Sequence, residues 1–272
     1  MPTSQGPSSA FDHIADGYDS DFTRSAVGRL QRQRVHRYLS ELLDKHAVLS
    51  VLELNCGTGE DALWLAKRQC RVLATDVSEG MVRATQKKAR AEGYSELIDA
   101  RALPAENLSS LPNDGSFDLI FSNFGGLNCL APEQLPILAQ QAQRLLRPGG
   151  HFVGVIMSSF CWWESLYFLA KGQWRQAWRR RQRQAIQAPL AEGVSIATWY
   201  YSPRRFCSFF RPPLQVKHYH TVGFFLPPSY LDPAFKKIPL VLKGLNRMEE
   251  WSPNISLFAA ASDHFLVHLT KT

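Results

Sequence analysis

Residues 51–66 read VLELNCGTGEDALWLA: a short aliphatic run, a glycine-bearing turn, then a helical stretch. A turn between a buried strand and a helix directs free backbone N–H groups at whatever approaches it. Gly57 and Gly59 let that backbone come close, because neither carries a Cβ. The same alternation recurs downstream. The runs VLSVLEL (48–54), RVLATD (71–76), FDLIFSN (117–123) and HFVGVIM (151–157) are separated by helical stretches near 59–68, 79–92 and 133–146. Proline and glycine in LLRPGG (145–150) stop the last helix and re-aim the chain. Strands alternating with helices are the pattern of βαβ units and a parallel sheet.

Outside this region the texture changes. Residues 11–46 read as helical, with Val35, Tyr38, Leu39, Leu42 and Leu43 at helix spacing. The first ten residues, MPTSQGPSSA, are polar and read as a disordered tail. Residues 158–272 are rich in Trp, Phe, Pro and Arg, and only LQVKHYHTVGFFL (214–226) and DHFLVHLT (263–270) alternate as strands. These two are expected to close the same sheet, leaving 158–213 and 227–262 as insertions that build a cap. The organisation is thus a tail over 1–10, a helical cap and core over 11–157, and an insertion-bearing part over 158–272.

Five scattered cysteines without a C-x-x-C pair argue against a disulfide framework or a metal site, and Cys129 in LNCL reads as a buried thiol. No apolar run reaches the roughly 20 residues of a spanning helix, and no secretory leader is apparent, so the expectation is a cytoplasmic protein. The net charge of +7 is local. KGQWRQAWRRRQR (171–183) carries six Lys and Arg and no acid, leaving the remainder near neutral. With Trp162, Trp163, Trp174 and Trp178 nearby, 162–183 admits three readings: a core helix with a solvated basic face, a peripheral membrane contact, or a nucleic-acid patch. The last is disfavoured, because nucleic-acid binders spread positive charge along a groove.

The turn could serve a dinucleotide, but Glu60 and Asp61 open the helix where a pyrophosphate would sit, and two carboxylates there would oppose it. S-Adenosylmethionine has no phosphate and carries a sulfonium and an ammonium. Glu53, at the end of the first strand, is placed to accept from the ammonium, and Asp76, at the end of the second, to accept from ribose hydroxyls.

VLELNCGTGEDALWLA, LATDVSEGMV, PAENLSSLPNDGSFDLIFSN and LLRPGGHFVGVIM, in this order, resemble a class I S-adenosylmethionine-dependent methyltransferase over roughly residues 11–157. The resemblance implies an α/β fold: a Rossmann-like, seven-stranded, mostly parallel sheet with an N-terminal helical cap and a C-terminal insertion. It implies that Glu53, Asn55, Cys56, Gly57, Thr58 and Gly59 hold the methionine part of the cofactor. Asp76 takes the ribose, Val77 and Met81 flank the adenine, Ala105 and Glu106 read its edge, and Asn123 stands near the transferring methyl. Tyr18, in FDHIADGYDSDF (11–22), would help close the site. Asn55 stands where the family has a first glycine. Asparagine tolerates positive φ better than other non-glycine residues, so the turn is expected to survive.

An activated methyl donor asks mainly for positioning. No N/D-P-P-Y motif follows the fourth strand; SNFGGLN stands there, against nucleobase amino-methylation of that type. His13, in the cap, is the candidate base. His218 and His220 are expected on one strand face with Leu214, Val216 and Val222, and His151 lies far from the cofactor edge. The reading is methylation, at O or C, of a small hydrophobic acceptor, its wall drawn from Phe160, Trp162, Trp163, Tyr200, Tyr201, Phe209, Phe210, Phe224 and Phe225. An RNA methyltransferase using 171–183 and a non-catalytic scaffold of the same fold are the alternatives.

Overall fold

In a computed structural model the described residues are 7–12, 25–46, 49–112, 115–191, 193–251 and 256–272. The strands are β1 (Ser50–Leu54), β2 (Arg71–Asp76), β3 (Ile98–Ala102), β4 (Phe117–Ser122), β5 (Leu146–Met157), β6 (Ile186–Ala191), β7 (Val194–Thr198), β8 (Gln215–Val222) and β9 (His264–Thr270). The helices are α1 (Pro7–Asp12), α2 (Ala26–His46), α3 (Glu60–Ala66), α4 (Glu79–Ala91), α5 (Leu135–Leu145) and α6 (Trp162–Ala170). After them come α7 (Trp174–Ala177), α8 (Pro203–Phe209), α9 (Asp232–Phe235), α10 (Pro239–Glu250) and α11 (Ser256–Ala261).

Seven strands form one sheet in the order β3-β2-β1-β4-β5-β9-β8, parallel from β3 to β5, with β9 and β8 antiparallel. The order reverses between β1 and β4, so the crevice for a ligand lies beyond the carboxyl ends of those two strands. Alternate residues feed opposite faces. Leu52, Leu54, Ile120, Phe152, Ile156 and Phe265 pack with α5 and with Phe206 and Phe210 of the α8 region. Val51, Val72, Leu119, Phe121, Val153 and Leu266 pack with α2, α3 and α4. Both faces are covered, which is why the central strands read as unbroken aliphatic runs.

The four parallel strands and two closing strands stand where the sequence puts them. β3 (IDARA) has no aliphatic run to reveal it: it is an edge strand whose exposed Asp99 and Arg101 pair with each other at 2.9 Å. The tail expected over 1–10 is corrected from Pro7 onward. Residues 7–12 are helical with Ala10 fully buried, and the Asp12 carboxylate accepts from Ser78 Oγ (2.6 Å) and Gly80 N (2.8 Å) at the start of α4. The β6–β7 hairpin lies within the insertion between β5 and β8.

Positive φ at Asn55 (57°) turns the chain out of β1, and Gly57 and Gly59 follow at 55° and 79°. Asparagine therefore does adopt the glycine-like conformation, and the fold makes room for its side chain elsewhere. A Cβ on Gly126 would lie 2.4 Å from Asn55 Cβ, so the second glycine of SNFGGLN is the complement of the asparagine in the turn. A Cβ on Gly59 would meet Thr85 at 2.6 Å, fixing how closely α4 packs on the turn.

A bulge between Val216 and His218 in β8 overturns one expectation. The extra residue moves Val216 to the α8 face, with Leu214, while His218, His220 and Val222 stay on the α2 face. There the imidazoles join others. Tyr38 Oη lies 2.6 Å from His268 Nδ1, His268 Nε2 lies 2.9 Å from His151 Nδ1, and His46, His218 and His220 pack round them. One consistent neutral arrangement has Tyr38 donating to His268 and His268 donating to His151. Burial, then the other histidines, press His268 down to about 3; burial, then His46 and Arg147, press His151 to about 4.

Two predictions follow from these contacts. Gly126→Ala is expected to cost roughly 1–3 kcal/mol of stability and to be largely rescued in an Asn55→Gly background, as read from urea midpoints of the double-mutant cycle; equal losses in both backgrounds would refute the contact. Because the two histidines are depressed, the unfolded chain binds more protons below its ordinary histidine value of 6.5, so stability is lost as pH falls from there towards 4 and 3. The expected loss by pH 4.5 is roughly 2–3 kcal/mol for each histidine, and His268→Gln should flatten that slope.

Candidate cofactor and acceptor site

β1 delivers Glu53 to the crevice, 2% exposed, with its Oε2 lacking a hydrogen-bond partner among the described residues. Burial, reinforced by the nearby Asp61 carboxylate and opposed by Arg32, pushes its carboxyl well above the usual carboxylate range. An unpartnered, buried carboxyl oxygen is costly unless a donor arrives. Asp76, at the end of β2, accepts from Gly57 N and Ser78 N, both at 2.9 Å, one on each oxygen. Each oxygen has a second lone pair, so a pair of ligand hydroxyls can still be accepted. Burial raises the Asp76 carboxyl, and these backbone N–H groups counter it. The turn is held from behind: Cys56 N donates to Thr75 O (2.9 Å), and Thr85 Oγ1 donates to Gly57 O (2.9 Å). Thr58 is buried beside Cys56 and Gly59 in the same turn.

Ser78 caps α4, accepting from Met81 N at 3.1 Å. Met81 and Ala105 are buried, Val77 is half-buried and Glu106 exposed. Leu103 N donates to Asp76 O (2.8 Å), which brings the 103–106 segment to the end of β2. Thus Glu53, the 55–59 turn, Asp76, Val77, Met81, Ala105 and Glu106 gather round the carboxyl ends of β1 and β2. His13 and Tyr18 lie outside the described residues.

The two acids after the glycines do not face a ligand. Glu60 pairs with Lys88. Asp61 is buried among Arg32 Nη1 (3.2 Å), His36 Nε2 (2.6 Å) and Asn123 Nδ2 (3.0 Å); burial would raise its carboxyl, but these partners hold it down at about 2. The charge argument against a pyrophosphate therefore fails, because both charges are compensated within the protein. The unpartnered Glu53 oxygen is the feature that favours a cationic ligand. Asn123 is committed likewise, its Oδ1 accepting from Phe124 N (3.0 Å), so its side chain serves the scaffold at the end of β4.

From the sequence His264 and His268 read as partly exposed on the less apolar face of the last strand, without a catalytic role; His264 is half-buried as expected, whereas His268 is buried. His264 opens β9 opposite Met157, at the edge where β4 and β5 end. Its Nδ1 lies 3.2 Å from Asp263 Oδ2, and its ring meets Phe124 edge-on at 5.5 Å. Phe124, with φ of 40°, sits in a conformation rare for a bulky residue. Asp263 is itself tied to Arg180 (2.8 Å) and Gln31 (3.3 Å); despite full burial, His264 and Arg180 keep it far below the usual carboxylate range. The contact is one of charge proximity and not a hydrogen bond, since His264 Nδ1 is buried without a hydrogen-bond partner among the described residues, and an imidazole placed here is a candidate to take a substrate proton. Only the Asp–His adjacency in SDHFL carried a signal.

Of the expected aromatic wall, Tyr201 and Phe210 are core. Trp162 and Trp163 instead clamp the segment after β8, donating to Phe224 O and Phe225 O, while the buried Glu249 accepts from the backbone N–H groups of 223–226. Cys129, expected as a buried thiol, is half-buried, and burial pushes its thiol up to about 12. Among the described residues no cluster suits a metal ion, and no helix is long and apolar enough to cross a membrane.

Residues 51–150 match the methyltransferase domain family. A ubiquinone/menaquinone biosynthesis C-methyltransferase from Acidiphilium cryptum is 34% identical over 150 residues, covering 52% of this chain and 55% of that protein. A malonyl-[acyl-carrier protein] O-methyltransferase from Yersinia pestis is 32% identical over 146 residues, covering 54% and 48%. The chain thus spans about half the length of these relatives. In structure it is similar to the CcbJ methyltransferase from Streptomyces caelestis, with a TM-score of 0.64 at 16% identity over 98% of this chain and all of that one. Fold, motif order and matched segment agree: residues 51–150 are a methyltransferase domain.

Proposed function

We propose that the chain binds S-adenosylmethionine and transfers its methyl group to a small acceptor that presents an apolar body. The observation that carries this reading is the buried Glu53 carboxyl, whose free oxygen needs a cationic or N–H donor at the mouth of a glycine turn. The methionine ammonium supplies such a donor, and its arrival restores the ionised form that burial disfavours. Asp76 takes the ribose hydroxyls, and Val77, Met81 and Ala105 offer apolar surface to the base. The cofactor, once bound, supplies a methyl already activated for displacement. The chain's own contribution is alignment, worth up to roughly 7–11 kcal/mol in well-oriented systems.

His264 is assigned the acceptor side. Beside the Asp263 carboxylate, the imidazole is placed to take a proton from a hydroxyl or an acidic carbon as attack proceeds. Both O- and C-methyltransferases stand among the relatives, and a base at this place serves either acceptor. The RNA alternative loses ground because part of its basic segment is neutralised internally: Arg179 and Arg180 pair with Glu164 and Asp263.

Calorimetry is expected to give one-site binding of S-adenosylmethionine, weakened at least about tenfold by Asp76→Ala, a loss of about 1.4 kcal/mol. An Asp76→Ala chain of unchanged melting temperature and unchanged affinity would remove the assignment, and no binding by the native chain would favour the scaffold. With an acceptor recovered by transfer of labelled methyl, His264→Gln should lower kcat about 10²–10⁴-fold while leaving cofactor affinity within about twofold. Unaltered turnover would take His264 out of the chemistry.

A further inference from the structure

Three consecutive arginines meet different fates. Arg179 donates to Glu164 Oε1 (2.8 Å), and Arg180, fully enclosed, bridges Glu164 Oε2 (2.7 Å) and Asp263 Oδ1 (2.8 Å). Two buried acids thus balance two arginines. Arg181 has no such partner. Its guanidinium stands 4.6 Å from the centre of the Trp178 ring and 5.0 Å from that of Phe160, two rings within 13° of parallel. The aromatic faces hold the group in place without neutralising it.

Arg181 borders a cavity of about 290 Å³ together with Arg183, Arg205, Gln182, Tyr200, Ser159 and Ser202. No carboxylate lines it, and among the described residues none of the three guanidiniums forms an ion pair. Ser202 Oγ accepts from Arg205 N, which leaves its own hydrogen available as a donor. Ser159 and Tyr200 add further hydroxyls. The cavity is therefore walled by three positive charges, Arg181 held against its rings and Arg181 and Arg183 open to solvent, and by groups able to donate, an arrangement that attracts an anion.

Its place in the fold adds to this. Ser159 lies two residues past the end of β5, and the Ser158–Tyr201 bridge, with Ser159 N donating to Tyr201 O (2.9 Å), ties both walls to that strand. The cavity is at the edge of the sheet where β4 and β5 end and His264 begins β9. Guanidinium forks match phosphate oxygens bidentately, and three of them exceed what a single carboxylate requires.

We propose that this cavity binds a phosphate-class oxyanion, the charged end of the methyl acceptor. The inference rests on the methyl-transfer reading and narrows it: the acceptor has an apolar body and a phosphate or diphosphate terminus. A polynucleotide is a poorer occupant, since the uncompensated charge is gathered in one concavity instead of tracking a groove. A lipid headgroup shares the chemistry, and the experiment separates it from a soluble anion.

The full chain is titrated with inorganic phosphate and inorganic diphosphate by calorimetry and by ³¹P line broadening. Saturable binding is expected, weakened at least tenfold in the Arg181→Gln/Arg183→Gln/Arg205→Gln variant. S-Adenosylmethionine affinity and melting temperature should stay unchanged, showing that the variant is folded. Lys171→Gln/Arg175→Gln, in the same basic segment but outside the cavity, should bind as the native chain does. Absence of saturable binding overturns the proposal. So does equal weakening in the Lys171/Arg175 variant, which would mark general attraction, or binding confined to vesicles containing phosphatidylglycerol, which would mark a membrane face. Retained diphosphate binding with no cofactor binding would instead sink the methyl-transfer reading and leave the anion site standing.

Discussion

The Asp61 carboxylate joins three parts of the molecule that are remote in sequence. It opens α3 immediately after the glycine turn, and it holds Arg32 and His36 of α2 and the amide of Asn123 at the end of β4. Trp64, one turn further along α3, stacks on His36 at 4.1 Å and carries Arg68 on its other contacts at 3.8 Å. Cutting this carboxylate would leave Arg32 and His36 without their buried partner and release α2 from the crevice. Its negative charge also reinforces the uptake of a proton by Glu53. The scaffold's own ion pair therefore adds to burial in setting the electrostatic state of the residue assigned to the cofactor.

This arrangement marks the boundary of what the sequence discloses. The strand ends that carry Glu53, Asp76 and Asn123 are legible because aliphatic runs with both faces buried are long and unmixed. β3 is not, because an edge strand with one solvated face need hold only Ile98 and Ala100 inward. The glycine-like conformation at Asn55 follows from residue type alone. Its complement, Gly126, does not, since the clash that requires it spans the switch point between β1 and β4. The β8 bulge is equally silent: nothing in QVKHYHTV says that pairing with β9 skips a residue, yet that skip decides which face receives the imidazoles.

Charge shows the same limit more sharply. A run such as WRRRQR looks like a uniform basic surface, and net charge treats its members alike. Burial does not. Glu164 sits 15 and 16 residues before Arg179 and Arg180 respectively, and Asp263 lies 83 residues beyond Arg180. Because these acids reach only two of the arginines, the charge of the third is left uncompensated, and aromatic rings lie against it. A charged residue that a fold leaves uncompensated but orders is more informative than one that is merely exposed.

The two proposed sites are related by this logic. At one end of the sheet edge a buried carboxyl lacks a donor; on the insertion side three guanidiniums lack an acceptor. Neither imbalance is relieved within the described residues: the buried carboxyl costs the free protein stability that a donor would return, and the solvent-facing guanidiniums leave a positive field that an anion would neutralise. The cationic methyl donor fits the first and an anionic acceptor terminus the second. Attraction of opposite ligands to opposite ends would keep either from occupying the other's place. It would also align the acceptor with its charged terminus away from the sulfonium and its apolar body towards Phe124 and His264. Orientation of this kind is where a methyltransferase, given an activated donor, gains most of its rate.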